Sequence, residues 1–253
     1  MARQTAISIN TIPIGPLGII GMPGCEELTD KIDQYLVKWR KTQAIEHAES
    51  IAFFGYQRDS YKIDITIPRF GSGEGKGVIN ESVRGYDIYI VCDVFNYSCT
   101  YNMYGKEVCM SPDDHFADLK RVISALCSKP KRVSVIMPML YEGRQHKRSS
   151  RESLDCAMAL KELVHLGVEN IITFDAHDQR VQNAIPDKSF ENVMPTYQMI
   201  KALVNNVDDL KVDKDHLMVI SPDEGALHRC IYFATQLGIN LGMFYKRRDY
   251  TRV

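Results

Sequence analysis

Residues 132–175 read RVSVIMPMLYEGRQHKRSSRESLDCAMALKELVHLGVENIITFD. The stretch opens on an apolar run, Arg132 to Leu140, whose valines and isoleucine predict a short buried strand. Apolar residues then recur at helical spacing from Arg151 to Leu166, which predicts a helix, and Gly167 stands where a helix C-cap is expected. A second β-rich run, Asn170 to Asp175, predicts the next strand. Strand, helix and strand in that order form a βαβ unit, in which the helix returns the chain so that the two strands lie parallel.

The alternation extends both ways from this unit. After an irregular arm of ten or so residues, Leu17 to Met22 predicts a strand that ends in Pro23-Gly24. A helix from Glu26 to Trp39 follows, with apolar residues at Leu28, Ile32, Tyr35, Leu36 and Trp39, acids near its start and Lys38 and Arg40 near its end. Tyr61 to Ile67 alternates as a half-buried strand does, Arg69 to Gly77 is a glycine-rich loop, and Asp87 to Val91 predicts another strand. The segment from Cys92 to Met110, rich in Tyr, Asn and Cys, has no period and receives no element. Helix His115–Ser128 then leads into the opening stretch. Beyond it the pattern predicts helix Pro195–Val207, strand His216–Ile220, helix Glu224–Leu237 capped by Gly238, and strand Asn240–Tyr245. The fold class is therefore α/β, a mainly parallel sheet flanked by helices. A domain boundary is expected near Met194, where Pro195 begins a helix.

Composition narrows the function. The 253 residues carry 31 basic and 32 acidic side chains, net −1, so no global field favours nucleic acid or an anionic membrane as partner. A polyanion site has to be local. The seven cysteines are scattered with no C-x-x-C pair and read as reduced thiols. No secretory h-region and no apolar run long enough to span a bilayer occurs, so the expected location is cytoplasmic.

In open α/β sheets ligands gather beyond the carboxyl ends of the strands, and four segments there carry chemistry. The run from Tyr141 to Glu152 holds Arg144, Lys147, Arg148 and Arg151 with His146, a density suited to polyphosphate; a solvated basic loop is the alternative. Asp175-Ala176-His177 offers an imidazole beside a carboxylate, for a divalent ion or a substrate, or else a structural histidine. Ser221-Pro222-Asp223-Glu224-Gly225 puts acids at a strand exit, as a magnesium site or an ordinary helix N-terminus would. Lys246-Arg247-Arg248 follows the last strand. The stretch Gly71 to Gly77 fails as a nucleotide-binding P-loop at Phe70 and at Gly77 and reads as a turn.

In order and spacing these segments resemble the ribose-phosphate pyrophosphokinase (PRPP synthetase) family over most of the chain. The family's Arg-Gln-Asp-Arg-Lys run with Arg-Glu is similar to Arg144-Gln145-His146-Lys147-Arg148 with Arg151-Glu152. Its Asp-Leu-His-Ala strand end is similar to Asp175-Ala176-His177, its Ser-Pro-Asp-x-Gly-Gly to Ser221 through Ala226, and its Lys-Arg-Arg to Lys246-Arg247-Arg248. Arg69 through Glu74 and Ile79 through Gly85 resemble its Arg-Phe-x-Asp-Gly-Glu and Asn-Glu-Ser-Val-Arg-Gly segments.

The resemblance implies two phosphoribosyltransferase-like domains: residues 1–194, binding ATP and oligomerising, and residues 195–253, binding ribose phosphate. It implies pyrophosphoryl transfer from ATP, with Mg²⁺, to ribose 5-phosphate, giving AMP and 5-phosphoribosyl 1-pyrophosphate. Arg144 and Gln145 would contact ATP, and Phe70 and Glu74 would reach the adenine of ATP bound at a neighbouring subunit of a homo-oligomer. His177 and Asp223 would lie at the magnesium and ribose end, and Lys246 with Arg248 would stabilise the transition state. Four positions depart from the family's pattern: Ser72 and His146 stand in place of Asp, Asp178 and Ala226 in place of Ala and Gly. The sequence stops at Val253, where the family's mobile loop begins, so the second domain is expected to be incomplete. A non-catalytic regulatory homologue and a plain phosphoribosyltransferase are the competing readings.

Overall fold

A computed structural model describes residues 13–46 and 57–245. The chain divides into two compact units, Met1–Val193 and Met194–Val253. In the first, a five-stranded sheet is built from β1 (Leu17–Gly21), β4 (Asp87–Val91), β7 (Arg132–Met137), β8 (Asn170–Phe174) and β9 (Ser189–Val193), adjacent in that order. Every pairing is parallel. The inner strands read as continuous apolar runs because both faces are covered: Ile88, Ile90 and Val91 of β4 and Val135 of β7 have no exposed surface.

Three helices accompany this sheet: α1 (Glu26–Glu46), α2 (Pro112–Ala125) and α3 (Asp155–His165). Helix α1 runs on past Trp39, where its apolar spacing fades. Helix α2 begins three residues before the expected His115, because Ser111 and Asp114 form a reciprocal capping box ahead of Pro112. Helix α3 begins only at Asp155; the polar run before it stays in loop conformation. Strand β7 stops at Met137 because Pro138 supplies no N–H to the ladder.

Beside β1 the chain forms one parallel bridge, Ile19 with Lys62, and the short antiparallel pair β2 (Ile65–Thr66) and β3 (Val78–Ile79), so the expected strand Tyr61–Ile67 is broken into two contacts. The chain thus moves outward from β1 and then returns to β4 on the other side, a reversal that opens a crevice at the carboxyl ends of these strands. Besides the short β3, two further features were not expected from the sequence. One is the hairpin β5 (Thr100–Met103) and β6 (Lys106–Cys109), turned by Tyr104 and Gly105, both at positive φ (49° and 76°). The other is edge strand β9, reached through a 3-10 turn at Gln179–Ala184.

In the second unit, α4 (Thr196–Asn206) precedes β10 (Met218–Ser221), a 3-10 turn at Glu224–Ala226, α5 (Leu227–Leu237) and β11 (Asn240–Met243). β10 and β11 are parallel, with α5 as their crossover, and Gly238 ends α5 at φ 66° as a left-handed cap. No described helix is long and apolar enough to cross a membrane.

Candidate functional site

The cationic loop leaves β7 and is fixed at both ends. At its entry the Tyr141 ring stacks on Phe116 of α2, centroids 4.3 Å apart and planes within 10°. Its hydroxyl donates to Asp113 Oδ1 at 2.6 Å. Burial and that hydrogen bond hold the phenol well above its ordinary range. Two successive turns follow, Gly143 N–H to the Leu140 carbonyl and Gln145 N–H to that of Glu142, with Glu142 at φ 54°. At its exit the Gln145 amide donates to the Ser153 carbonyl at 2.8 Å, bridging the loop.

Between these anchors Arg144, Lys147, Arg148 and Arg151 are all exposed. Among the described residues no carboxylate pairs with any of the four. Cations held together without counter-charge repel one another, and a polyanion relieves that repulsion, so the loop is suited to phosphate oxygens.

The exit of β8 meets this loop. Asp175 takes φ 45°, its N–H bonded to the Val193 carbonyl, and Ala176 N–H donates to Asn192 Oδ1 at 2.8 Å. His177 is exposed, its ring 5.2 Å from that of His146. His146 Nε2 lies 3.4 Å from Asp178 Oδ2. Asp178 also receives Arg180 Nε at 2.9 Å, and hydrogen bonding from Arg180, aided by His146, holds its carboxyl far below the ordinary carboxylate range. His146 and Asp178 are thus partners across the two loops. Glu142 and Asp175, non-glycine residues in the left-handed region, sit at the exits of neighbouring strands, where such conformations accompany function.

Phe70 and Glu74 stand apart from the cationic loop, on the turn between β2 and β3. Phe70 N–H donates to the Glu74 carbonyl at 2.8 Å and Arg69 bridges to Gly75. The Phe70 ring is 58% exposed, and Ser72 donates to Glu74 Oε2 at 2.8 Å. The turn is clamped from below by Arg69, which meets Asp118 of α2, and from the side by the β5–β6 hairpin, whose Tyr104 N–H donates to the Gly71 carbonyl.

Asp223 lies in the second unit. Its Oδ1 accepts from Ala226 N–H at 3.1 Å, and Ser221 donates to its carbonyl, so it caps the turn that begins α5. Its second carboxylate oxygen has no hydrogen-bond partner among the described residues. Lys246 and Arg248 lie outside the described residues. Among the described residues no three His, Cys, Asp or Glu side chains gather into a cation-holding group. A lone histidine or carboxylate is a donor set that suits only an ion keeping most of its shell from water, as Mg²⁺ does.

The sequence reading found the strand-exit residues and missed their supports: Tyr141 as a pin, Phe116, Asp113, Tyr101 and Asp118. Only Asp118 carried a usable signal, an acid placed among the apolar positions Phe116, Leu119 and Val122 on the buried face of α2.

The model of the N-terminal domain of ribose phosphate pyrophosphokinase matches residues 17–167. The chain is 29% identical over 190 residues to a ribose-phosphate pyrophosphokinase of Helicobacter pylori, covering 72% of this chain and 52% of that protein. The corresponding figures for the ribose-phosphate pyrophosphokinase of Ralstonia nicotianae are 27% over 190 residues, 74% and 54%. The chain spans about half the length of the curated relatives it matches. The crystal structure of phosphoribosylpyrophosphate synthetase from Mycobacterium smegmatis superposes with a TM-score of 0.68 at 20% identity, over 92% of this chain and 65% of that one, and establishes the shared fold.

Proposed function

Because the chain belongs to the ribose-phosphate pyrophosphokinase family, we propose that it takes part in pyrophosphoryl transfer from MgATP to ribose 5-phosphate. The observation that carries this reading is the loop Tyr141–Ser153, a set of cations without carboxylate partners among the described residues, fixed at both ends at a strand exit.

In the proposed reaction the anomeric hydroxyl oxygen attacks the β-phosphorus of ATP. The bond from that phosphorus to the oxygen bridging the α-phosphorus breaks, AMP leaves with that oxygen, and the hydroxyl proton is released. The protein's work is positioning and charge stabilisation. Arg144 provides a guanidinium fork for phosphate oxygens, and Gln145 both bridges the loop and lies beside the nucleotide. Phe70 stacks on the adenine while Glu74, oriented by Ser72, accepts from its amino group; these two act on ATP held by a neighbouring subunit. His177 and Asp223 would each be a donor for Mg²⁺, which would supply charge neutralisation at the triphosphate. Lys246 and Arg248 neutralise charge on the transferring group. Residues 1–194 form the ATP-binding, oligomerising domain and 195–253 part of the ribose-phosphate domain. A cytoplasmic location goes with seven unpaired cysteines.

The test is incubation with Mg²⁺, ATP and ribose 5-phosphate, with AMP and ADP quantified by chromatography. AMP that appears only with the sugar supports the proposal. Saturable ATP binding without sugar-dependent AMP would assign a regulatory relative instead, and absence of ATP binding would overturn both.

A further inference from the structure

Asp118 is a buried carboxylate on the core side of α2 with a side chain only 2% exposed. It is held by two guanidiniums, Arg69 Nη2 on Oδ2 and Arg121 Nη1 on Oδ1, each at 2.6 Å. The two arginines do different things. Arg121 sits one turn along the same helix; its Nη1 lies beside Gly75, but among the described residues its one hydrogen bond is to Asp118 and none goes to the turn that carries Phe70. Arg69 immediately precedes Phe70, donates from Nη1 to the Gly73 carbonyl at 3.3 Å, and lies over the Tyr101 ring at 4.5 Å.

Charge at this depth stabilises little on balance, since desolvation offsets most of the attraction. A hydrophobic contact would cover the same area at lower cost. What the ion pair supplies is direction: a guanidinium fork fixed at one carboxylate and one carbonyl leaves Arg69 a single orientation, and therefore the next residue too. The turn tip itself is exposed at Phe70, Ser72 and Glu74, and it meets the rest of the unit through the backbone of Gly71 and Gly73 against the β5–β6 hairpin and through Arg69.

We propose that Asp118 is the positioning residue of the base-reading turn, acting through Arg69 to hold Phe70 and Glu74 where a purine meets them, with the β5–β6 hairpin as the lateral clamp. This rests on the reading that Phe70 contacts the nucleobase. Asp118 touches neither base nor phosphate, so its effect is confined to ligands that carry a base.

The experiment compares dissociation constants for MgATP and for magnesium tripolyphosphate, which lacks the base, by calorimetry on the full assembled protein. Asp118→Asn is expected to weaken MgATP by about tenfold while tripolyphosphate stays within about twofold, a loss typical of misplaced binding groups. Arg121→Gln, the control, leaves both within about twofold. The cycle with a Phe70→Ala, Glu74→Ala background is decisive: once both base-reading side chains are gone, Asp118→Asn costs no further ATP affinity. Additive losses in the combined variant, or equal losses for both ligands, would overturn the role of Asp118 while leaving the Phe70 reading intact. An unchanged ATP-to-tripolyphosphate ratio in Phe70→Ala alone overturns the base-contact reading, and the proposal with it. If Asp118→Asn does not fold, Arg69→Lys keeps the charge on Asp118 but loses the fork to Gly73. It is then expected to weaken ATP several-fold and selectively, and equal affinity to the parent refutes the proposal.

Discussion

Gly75 reports on the same clamp through stability rather than binding. A Cβ added there would lie 2.8 Å from Arg69 Nη1, 2.9 Å from Asp118 Oδ1 and 3.0 Å from Arg121 Nη1. All three atoms belong to one buried ion cluster, so none can retreat without lengthening a 2.6 Å charged contact. Overpacking of this kind costs about 1–3 kcal/mol. Severing either guanidinium contact moves the cost toward the about 3–5 kcal/mol of a broken buried pair. For a unit of this size each kcal/mol shifts the midpoint by about 2–4 °C, so Gly75→Ala is expected to lower Tm by about 4–10 °C. Differential scanning calorimetry reads the shift, and the transition to follow is that of the larger unit, since two units need not melt together. Gly71→Ala is the control: an added Cβ there meets nothing within 4 Å, and its Tm should stay within about 1 °C of the parent. A Gly75→Ala protein as stable as the Gly71→Ala protein would refute the claim that Asp118 and its two arginines are tightly held.

Replacing Arg144 with Ala removes one charged hydrogen-bond partner of about 1.5–3 kcal/mol, so MgATP and tripolyphosphate should both weaken, by roughly 10- to 150-fold on titration. Asp178→Asn bears on pH. Because the folded-state pKa lies below the ordinary 3.8, the stability Asp178 contributes is present above that value and is lost as pH falls through the folded pKa. The Tm gap between parent and variant should therefore be constant near neutrality and close in acid; a gap that widens below pH 3.8 contradicts the pairing with Arg180 and His146. Burial pushes the Cys25 and Cys156 thiols up to about 11 and raises Cys92 as well. Iodoacetamide at mildly alkaline pH should label the exposed Cys109 and Cys127 and leave these three unmodified in the folded protein, as peptide mass mapping would show.

The parallel sheet was legible because β4 and β7 are buried on both faces, and double burial writes a continuous apolar run into the sequence. Strand β9 escaped because it is an edge: Ser189, Glu191 and Val193 are exposed in alternation and only Phe190 and Asn192 turn inward. The β5–β6 hairpin escaped for a different reason. Its turn uses Tyr104-Gly105 in place of the usual Asn-Gly or Asp-Gly, and its strands carry Thr, Asn and Lys on a solvated face. Local motifs singled out Arg144, Gln145, His177 and Asp223 as candidates, since strand exits announce themselves by composition. Their supports depend on residues far apart in sequence, as Arg69 and Asp118 are, and no window along one chain contains both partners. The same holds for His146 and Asp178, which each looked like an isolated departure from a pattern and turn out to face one another.

Helix α2 ties these observations together. Asp113 and Phe116 hold Tyr141, the entry of the cationic loop, and Asp118, two residues further, holds Arg69 and so the turn bearing Phe70. The helix is stopped from sliding by its capping box at Ser111 and by Leu119, Val122 and Ile123 in the core. Packed interiors transmit displacement instead of absorbing it, so a shift of α2 along its axis has to move both loops at once. If Phe70 serves a neighbouring subunit while Arg144 serves its own, one helix then carries half of each of two nucleotide sites. Occupancy of one would bias the geometry of the other by whatever differential contact the bound triphosphate makes with the cationic loop. Tyr141→Phe separates the two ends of that link: the stack on Phe116 remains, the bond to Asp113 goes, and any cooperativity in ATP binding should weaken while the Phe70 contribution to affinity is unchanged.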